Sequence, residues 1–197
     1  TFQVTSKVTS IGDLAFYDCT SLTSFVIGNS VTTIGDYAFG TCTSLTSVTF
    51  QVTSKVTSIG EYAFQTCTSL TSIDIPNSVF SIEEYAFEGC SGLTSVVIGN
   101  SVTSIGRNAF CNCTSLTSVV IGDSVTSIGR NAFYNLANNA KITVIHSEGT
   151  IPTNLASDET SSNTYWTDKT IVGAPAPEPE PEPEPEQPQP EPEPEPE

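Results

Sequence analysis

Residues 102–124, VTSIGRNAFCNCTSLTSVVIGDS, are one copy of a unit that fills most of this chain. Aligned on their Val-x-x-Ile starts, the copies begin at Val8, Val31, Val56, Val79, Val102 and Val125, in steps of 23, 25, 23, 23 and 23 residues. The two extra residues fall in 51–55, where QVTSK replaces the usual GNS, and residues 1–12 recur unchanged at 49–60. A fixed period in the twenties marks a solenoid built from one small supersecondary unit.

Within a copy, Leu116, Val119 and Ile121 form one apolar set, and Val125, Ile128, Ala132 and Phe133 form a second. The Val-x-Ile end alternates as a half-buried strand does, with Ser118 and Val120 on the opposite face. The Gly-Asn-Ser or Gly-Asp-Ser that follows is turn chemistry. Ile-Gly-x-x-Ala-Phe-x-x-Cys then returns the chain, and its short apolar spacing predicts a short helix or 3₁₀ turn. One such coil buries too little to fold alone, so stacking on its neighbours must supply the rest. The expected fold class is an α/β repeat solenoid, elongated and curved. It has one parallel β-sheet along one face, with short helical, 3₁₀ or irregular return segments.

The pattern Leu-x-x-Val-x-Ile followed by Ile34-Gly35-Asp36-Tyr37-Ala38-Phe39, Cys42 and Leu45 resembles the BspA-like class of leucine-rich repeats. The resemblance covers about residues 1–145. It implies a secreted or cell-surface microbial protein that adheres to host cells or matrix proteins, and it brings no catalytic residues. The sixth copy departs from the pattern: Leu136 stands at the cysteine position, and NLANNAKITVIHS replaces CTSLTSVVIGN. It is expected to be a capping coil that shields the last edge of the core.

The domain organisation follows: a partial repeat at 1–7, a solenoid at 8–145, a capping segment at 146–173 and a tail at 174–197. The tail alternates Pro and Glu, which can neither bury a core nor form a helix, so it is expected to be disordered and extended, with a reach of up to about 70 Å. It fits a stalk or a solubilising tail. Residues 158–164 are polar enough for a mobile loop. The net charge is −16, but nine of the 22 acids lie between Glu178 and Glu197, leaving 13 acids against 6 bases in the body. A mildly acidic body without a Lys/Arg cluster argues against nucleic acid and anionic membranes. No apolar run is long enough to span a membrane. There is no methionine and no visible signal peptide, so the chain reads as processed or partial.

Cys19, Cys42, Cys67, Cys90 and Cys113 recur at the repeat period and read as a structural ladder of buried thiols. Bridging between adjacent coils in an oxidising compartment is the alternative, since coils about 5 Å apart bring Cα atoms into disulfide range. Cys111 takes a variable and therefore exposed position, as a drifted residue or a reactive thiol. Asn112-Cys113-Thr114 is a glycosylation sequon. Tyr37, Tyr62 and Tyr85 form a column that packs between coils or meets a ligand.

The candidate ligand-binding residues are the outward rows of the sheet face. One row is Ser24, Ser47, Ser72, Ser95 and Ser118, and the other is Val26, Thr49, Asp74, Val97 and Val120. No catalytic motif is present: His146 near Glu148 has no nucleophile, Glu83 and Glu84 are mere neighbours in sequence, and no metal site or cofactor is expected. The primary reading is a non-enzymatic extracellular or cell-surface protein that binds a protein or glycoprotein ligand through the sheet face. An intracellular interaction scaffold is the alternative. An ice- or mineral-binding array is a third reading, motivated by the column Thr23, Thr46, Thr71, Thr94 and Thr117.

Overall fold

The computed structural model describes residues 2–3, 7–138 and 140–144. Its strands run in chain order as β1 (Phe2–Gln3), β2 (Ser10–Ile11), β3 (Ser24–Ile27), β4 (Thr33–Ile34), β5 (Ser47–Phe50), β6 (Ser58–Ile59) and β7 (Ser72–Ile75). They continue as β8 (Ser81–Ile82), β9 (Ser95–Ile98), β10 (Ser104–Ile105), β11 (Ser118–Ile121), β12 (Ser127–Ile128) and β13 (Lys141–Val144). The odd strands pair in sequence order into a seven-stranded parallel sheet, and the even strands into a six-stranded one. The solenoid therefore carries two sheets, not the single sheet expected. The second grows from the Val-x-x-Ile segment, whose two-residue strands are too short to show a period of two in sequence.

Each coil closes on a continuous core. Phe25, Ile27, Ile73, Ile75, Val96, Ile98, Val119 and Ile121 point inward from the long strands, and Ile34, Ile59, Ile82 and Ile105 from the short ones. Between them runs a stack of phenylalanines. Phe39, Phe64, Phe87 and Phe110 lie face to face at centroid spacings of 5.0, 5.1 and 5.0 Å. Identical residues one period apart stack because parallel in-register pairing places each coil directly over the last.

The return segment is not helical; no helix occurs among the described residues. Its amides alternate between two kinds of partner. Ala38, Gly40 and Cys42 donate three residues back, to the carbonyls of Gly35, Tyr37 and Phe39. Tyr37, Phe39 and Thr41 donate instead to Glu61, Ala63 and Gln65 of the next coil, at 2.8, 2.7 and 2.7 Å. A helix would satisfy its amides internally; here half of them form a third ladder between coils.

That alternation forces the left-handed backbone region twice per coil, at Tyr37 and Thr41 (φ 53° and 57°), at Tyr62 and Thr66, and at Asn108 and Asn112. Asn tolerates this region, whereas a β-branched residue is strained there. In the fourth coil the second position is Gly89, with φ 70°. Thr41 also buries a hydroxyl that has no partner. Thr41→Gly is therefore expected to raise stability by about 1 kcal/mol, since relief of strain and of the orphan hydroxyl outweighs glycine's entropy. Urea unfolding of the variant checks this.

Candidate functional site

The outward positions of the long strands form two rows. Ser24, Ser47, Ser72, Ser95 and Ser118 are paired in register, and Lys141 extends their row. Val26 pairs with Thr49, and Asp74 with Val97 and then Val120. All ten expected residues lie on this face. Ser47, Thr49, Ser72, Asp74, Val97 and Ser118 are exposed, while Ser24, Val26, Ser95 and Val120 are half-buried. Asp74 is the one carboxylate among the ten.

The rows are not continuous. β3 with β5, β7 with β9 and β9 with β11 are each in register over four residues, but β5 meets β7 only at Ser47 and Ser72. The amide of Thr71 stands 3.4 Å from the Thr46 carbonyl, whereas Thr46 and Thr94 make the equivalent bond at 2.8 Å. Beyond Ser47 the strands part around a recess of about 230 Å³, lined by Ser47, Val48, Thr49, Phe50, Ser72, Ile73 and Asp74.

Three residue choices open this joint. Phe50 stands in a column that also holds Ile27, Ile75, Ile98, Ile121 and Val144, and its ring is only half-buried. The two extra residues of 51–55 lengthen the turn that leaves β5. Most directly, Pro76 has no N–H. At this position Gln51 donates to the Ile27 carbonyl and Gly122 to the Ile98 carbonyl, both at 3.1 Å. Proline cannot make the matching bond to Phe50. Gly122 also shows how closely coils approach elsewhere: a Cβ there would stand 2.7 Å from the Gly99 carbonyl oxygen. Pro76 carries a side chain at this position, where Gly99 and Gly122 carry none.

The BspA type Leucine rich repeat region matches six copies, over residues 9–141 and 80–169. The chain belongs to the BspA-type leucine-rich repeat family. Among solved structures, this BspA-type chain is similar to a leucine rich cell surface protein of Faecalibacterium prausnitzii, at 34% identity and a TM-score of 0.59, over 72% of this chain and 46% of that one. It is also similar to the leucine-rich repeat protein of T. pallidum, at 28% identity and a TM-score of 0.58, over 73% of this chain and 72% of that one. A leucine-rich repeat protein of Bacteroides ovatus matches at 29% identity and a TM-score of 0.55, over 73% of this chain and 41% of that one. The chain thus spans less than half the length of the Faecalibacterium and Bacteroides proteins. No curated protein matches.

In this BspA-type coil the ladder cysteines lie in or against the core. Cys42, Cys67, Cys90 and Cys113 are fully buried, Cys19 is half-buried, and all are free thiols. Each fully buried Sγ of the ladder donates to a phenylalanine carbonyl one coil back, as Cys67 does to Phe39 at 3.2 Å. Cys111 corrects an expectation: it is 7% exposed, not a surface thiol. Its position is buried at Gly40 and exposed at Tyr17 and Tyr134, so variability there does not report exposure.

Burial pushes the Cys42 thiol up to about 11, and it raises Cys67, Cys90, Cys111 and Cys113 as well. Thiolate being the reactive form, about one Cys42 in a thousand is ionised at pH 8. Ellman's reagent is expected to label only Cys19 in the folded protein and all six thiols in guanidinium. Because the folded thiols titrate above their unfolded values, their contribution to stability is complete below about pH 8.5 and drains away as the pH rises toward 11. Urea midpoints at pH 7 and pH 10 test the sign.

The remaining candidates resolve into scaffold. Tyr37, Tyr62 and Tyr85 stack on one another at 4.5 and 4.7 Å, which supports the packing reading. The hydroxyls of Thr46, Thr71, Thr94 and Thr117 donate to the carbonyl of the threonine one coil back, so that column is tied to the backbone. Asn112 of the sequon is exposed, and its side-chain oxygen accepts from Asn135. Glu83 accepts from the Ser81 hydroxyl at 2.7 Å. Among the described residues no group of three or more His, Cys, Asp or Glu could hold a metal ion, and no helix is long and apolar enough to cross a membrane. His146 and Glu148, the capping segment and the tail lie outside the described residues.

Two signals were present in the sequence and missed. Pro76 interrupts a column of turn residues, and Phe50 interrupts a column of isoleucines. Together they mark the joint that gathers Ser47, Thr49, Ser72 and Asp74 around one recess.

Proposed function

We propose that this chain is a non-enzymatic repeat protein, extracellular or at the cell surface, that binds a protein or glycoprotein ligand through the exposed face of its seven-stranded sheet. The observation that carries this reading is the face itself: two rows of small polar and aliphatic side chains, the second broken between Thr49 and Asp74, with Val97 43% exposed beside Asp74. Exposed apolar groups rimmed by polar ones mark interaction sites. The cell-surface description of the Faecalibacterium relative supports the location. The Pro-Glu run at 174–197 then serves as a stalk or spacer.

Binding of the recombinant protein to host cells and to immobilised matrix proteins tests the reading. Val97→Asp with Val120→Asp leaves the core untouched and places two charges in the middle of the face. Affinity is expected to fall about tenfold or more. Equal affinity for the double variant would move the binding surface elsewhere.

A further inference from the structure

We propose that the recess between β5 and β7 is a subsite for one arginine side chain presented by the bound partner. This deepens the sheet-face reading and rests on it. The recess of about 230 Å³ is smaller than the roughly 300–1,000 Å³ of small-molecule pockets, so it suits a single long side chain. Its polar side chains can all accept. Asp74 supplies a carboxylate, and Ser47, Thr49 and Ser72 supply hydroxyl oxygens. Pro76 has no N–H to offer the Phe50 carbonyl, whereas the counterpart Ile27 carbonyl receives one from Gln51. A guanidinium brings five donors and no acceptor, the complement of such a lining.

The remaining walls are Val48, Ile73 and the ring of Phe50. They fit the methylene stem of arginine, and the ring adds attraction for a cation close to its face. Lysine offers three donors on a strongly hydrated ammonium, and so is the poorer match. Another peptide strand cannot enter: the strands are still paired at Ser47 and Ser72, and an inserted strand would need to separate them by a further spacing of about 4.8 Å.

The test is an NMR titration of the isotope-labelled chain with N-acetyl-arginine amide. Its neutral, equally shaped citrulline analogue is the control. The expected result is saturable shifts confined to residues 47–50 and 72–74, with a dissociation constant of order 1–10 mM. The citrulline probe should bind about tenfold more weakly, and Asp74→Asn should weaken arginine at least fivefold with the spectrum otherwise unchanged. Equal binding of the citrulline probe, or arginine shifts scattered over the other acidic positions, would overturn the subsite.

The two readings fail separately. If the recess ignores arginine while Val97→Asp with Val120→Asp still weakens partner binding, the subsite is lost and the face stands. Localised arginine binding in a protein whose partner binding ignores that double variant keeps the subsite and removes the face.

Discussion

Phe64→Ala is expected to destabilise the solenoid by about 4–5 kcal/mol, more than any surface substitution. Phe64 is fully buried and lies between Phe39 and Phe87, at 5.0 and 5.1 Å with nearly parallel rings. Truncation removes a large apolar side chain and opens a cavity in the middle of the stack. It also breaks two aromatic contacts worth about 0.5–1.5 kcal/mol each beyond their area. Neighbouring coils cannot slide in to fill the space, because the backbone ladders fix their separation. Chemical denaturation followed by circular dichroism measures the loss. A change below about 1.5 kcal/mol, the range of ordinary substitutions, would mean that the ring stack is not what couples the coils.

The second large effect runs the other way. A repaired joint, combining Phe50→Ile, GNS in place of 51–55 and Pro76→Gly, is expected to gain about 2 kcal/mol. The repair returns an isoleucine to its column, shortens the turn and restores the missing N–H. Roughly three ladder bonds at about 1 kcal/mol each re-form, offset in part by the freedom glycine adds to the unfolded chain. In a solenoid, stability is a sum of coil terms and nearest-neighbour terms, so one weak interface limits the whole. The repaired chain should unfold at higher urea, and it should lose arginine binding at the recess. A repaired protein no more stable than the parent would show that the opening between β5 and β7 is not a weak joint.

The architecture is largely legible in the sequence, because a solenoid writes its register into its period. Leu45, Leu70, Leu93 and Leu116 recur at the same position and are all fully buried. The alternation in the long strands places Ser72 and Asp74 outward and Ile73 and Ile75 inward, as observed. What the period hides is local. Two-residue strands such as β8 carry no alternation of their own. Tyr85, a residue usually outside the left-handed region, adopts it because its amide must reach Arg107 of the next coil. Propensity argues for a helical turn in such a segment, and the inter-coil ladder overrides it.

The candidate site is legible in a different sense. The rows can be drawn from periodicity, but periodicity treats every coil alike. What distinguishes one place on the face is a departure from the repeat: Phe50, the residues 51–55 and Pro76. The lengthened step from Val31 to Val56 is the visible trace of that departure. Its consequence, an opening rather than a bulge, depends on an absent N–H that only pairing geometry reveals.

Residue-resolved amide hydrogen exchange tests the central claim most directly, because it reads both the third ladder and the joint in one experiment. The Phe39, Phe64, Phe87 and Phe110 amides each donate at 2.7 Å to an alanine carbonyl of the next coil. They are predicted to exchange as slowly as the amides of β9 and β11, while those of β5 and β7 that face the opening exchange fastest in the sheet. Return-segment phenylalanine amides that exchange within minutes, or uniform protection across the six four-residue strands of the seven-stranded sheet, would contradict it.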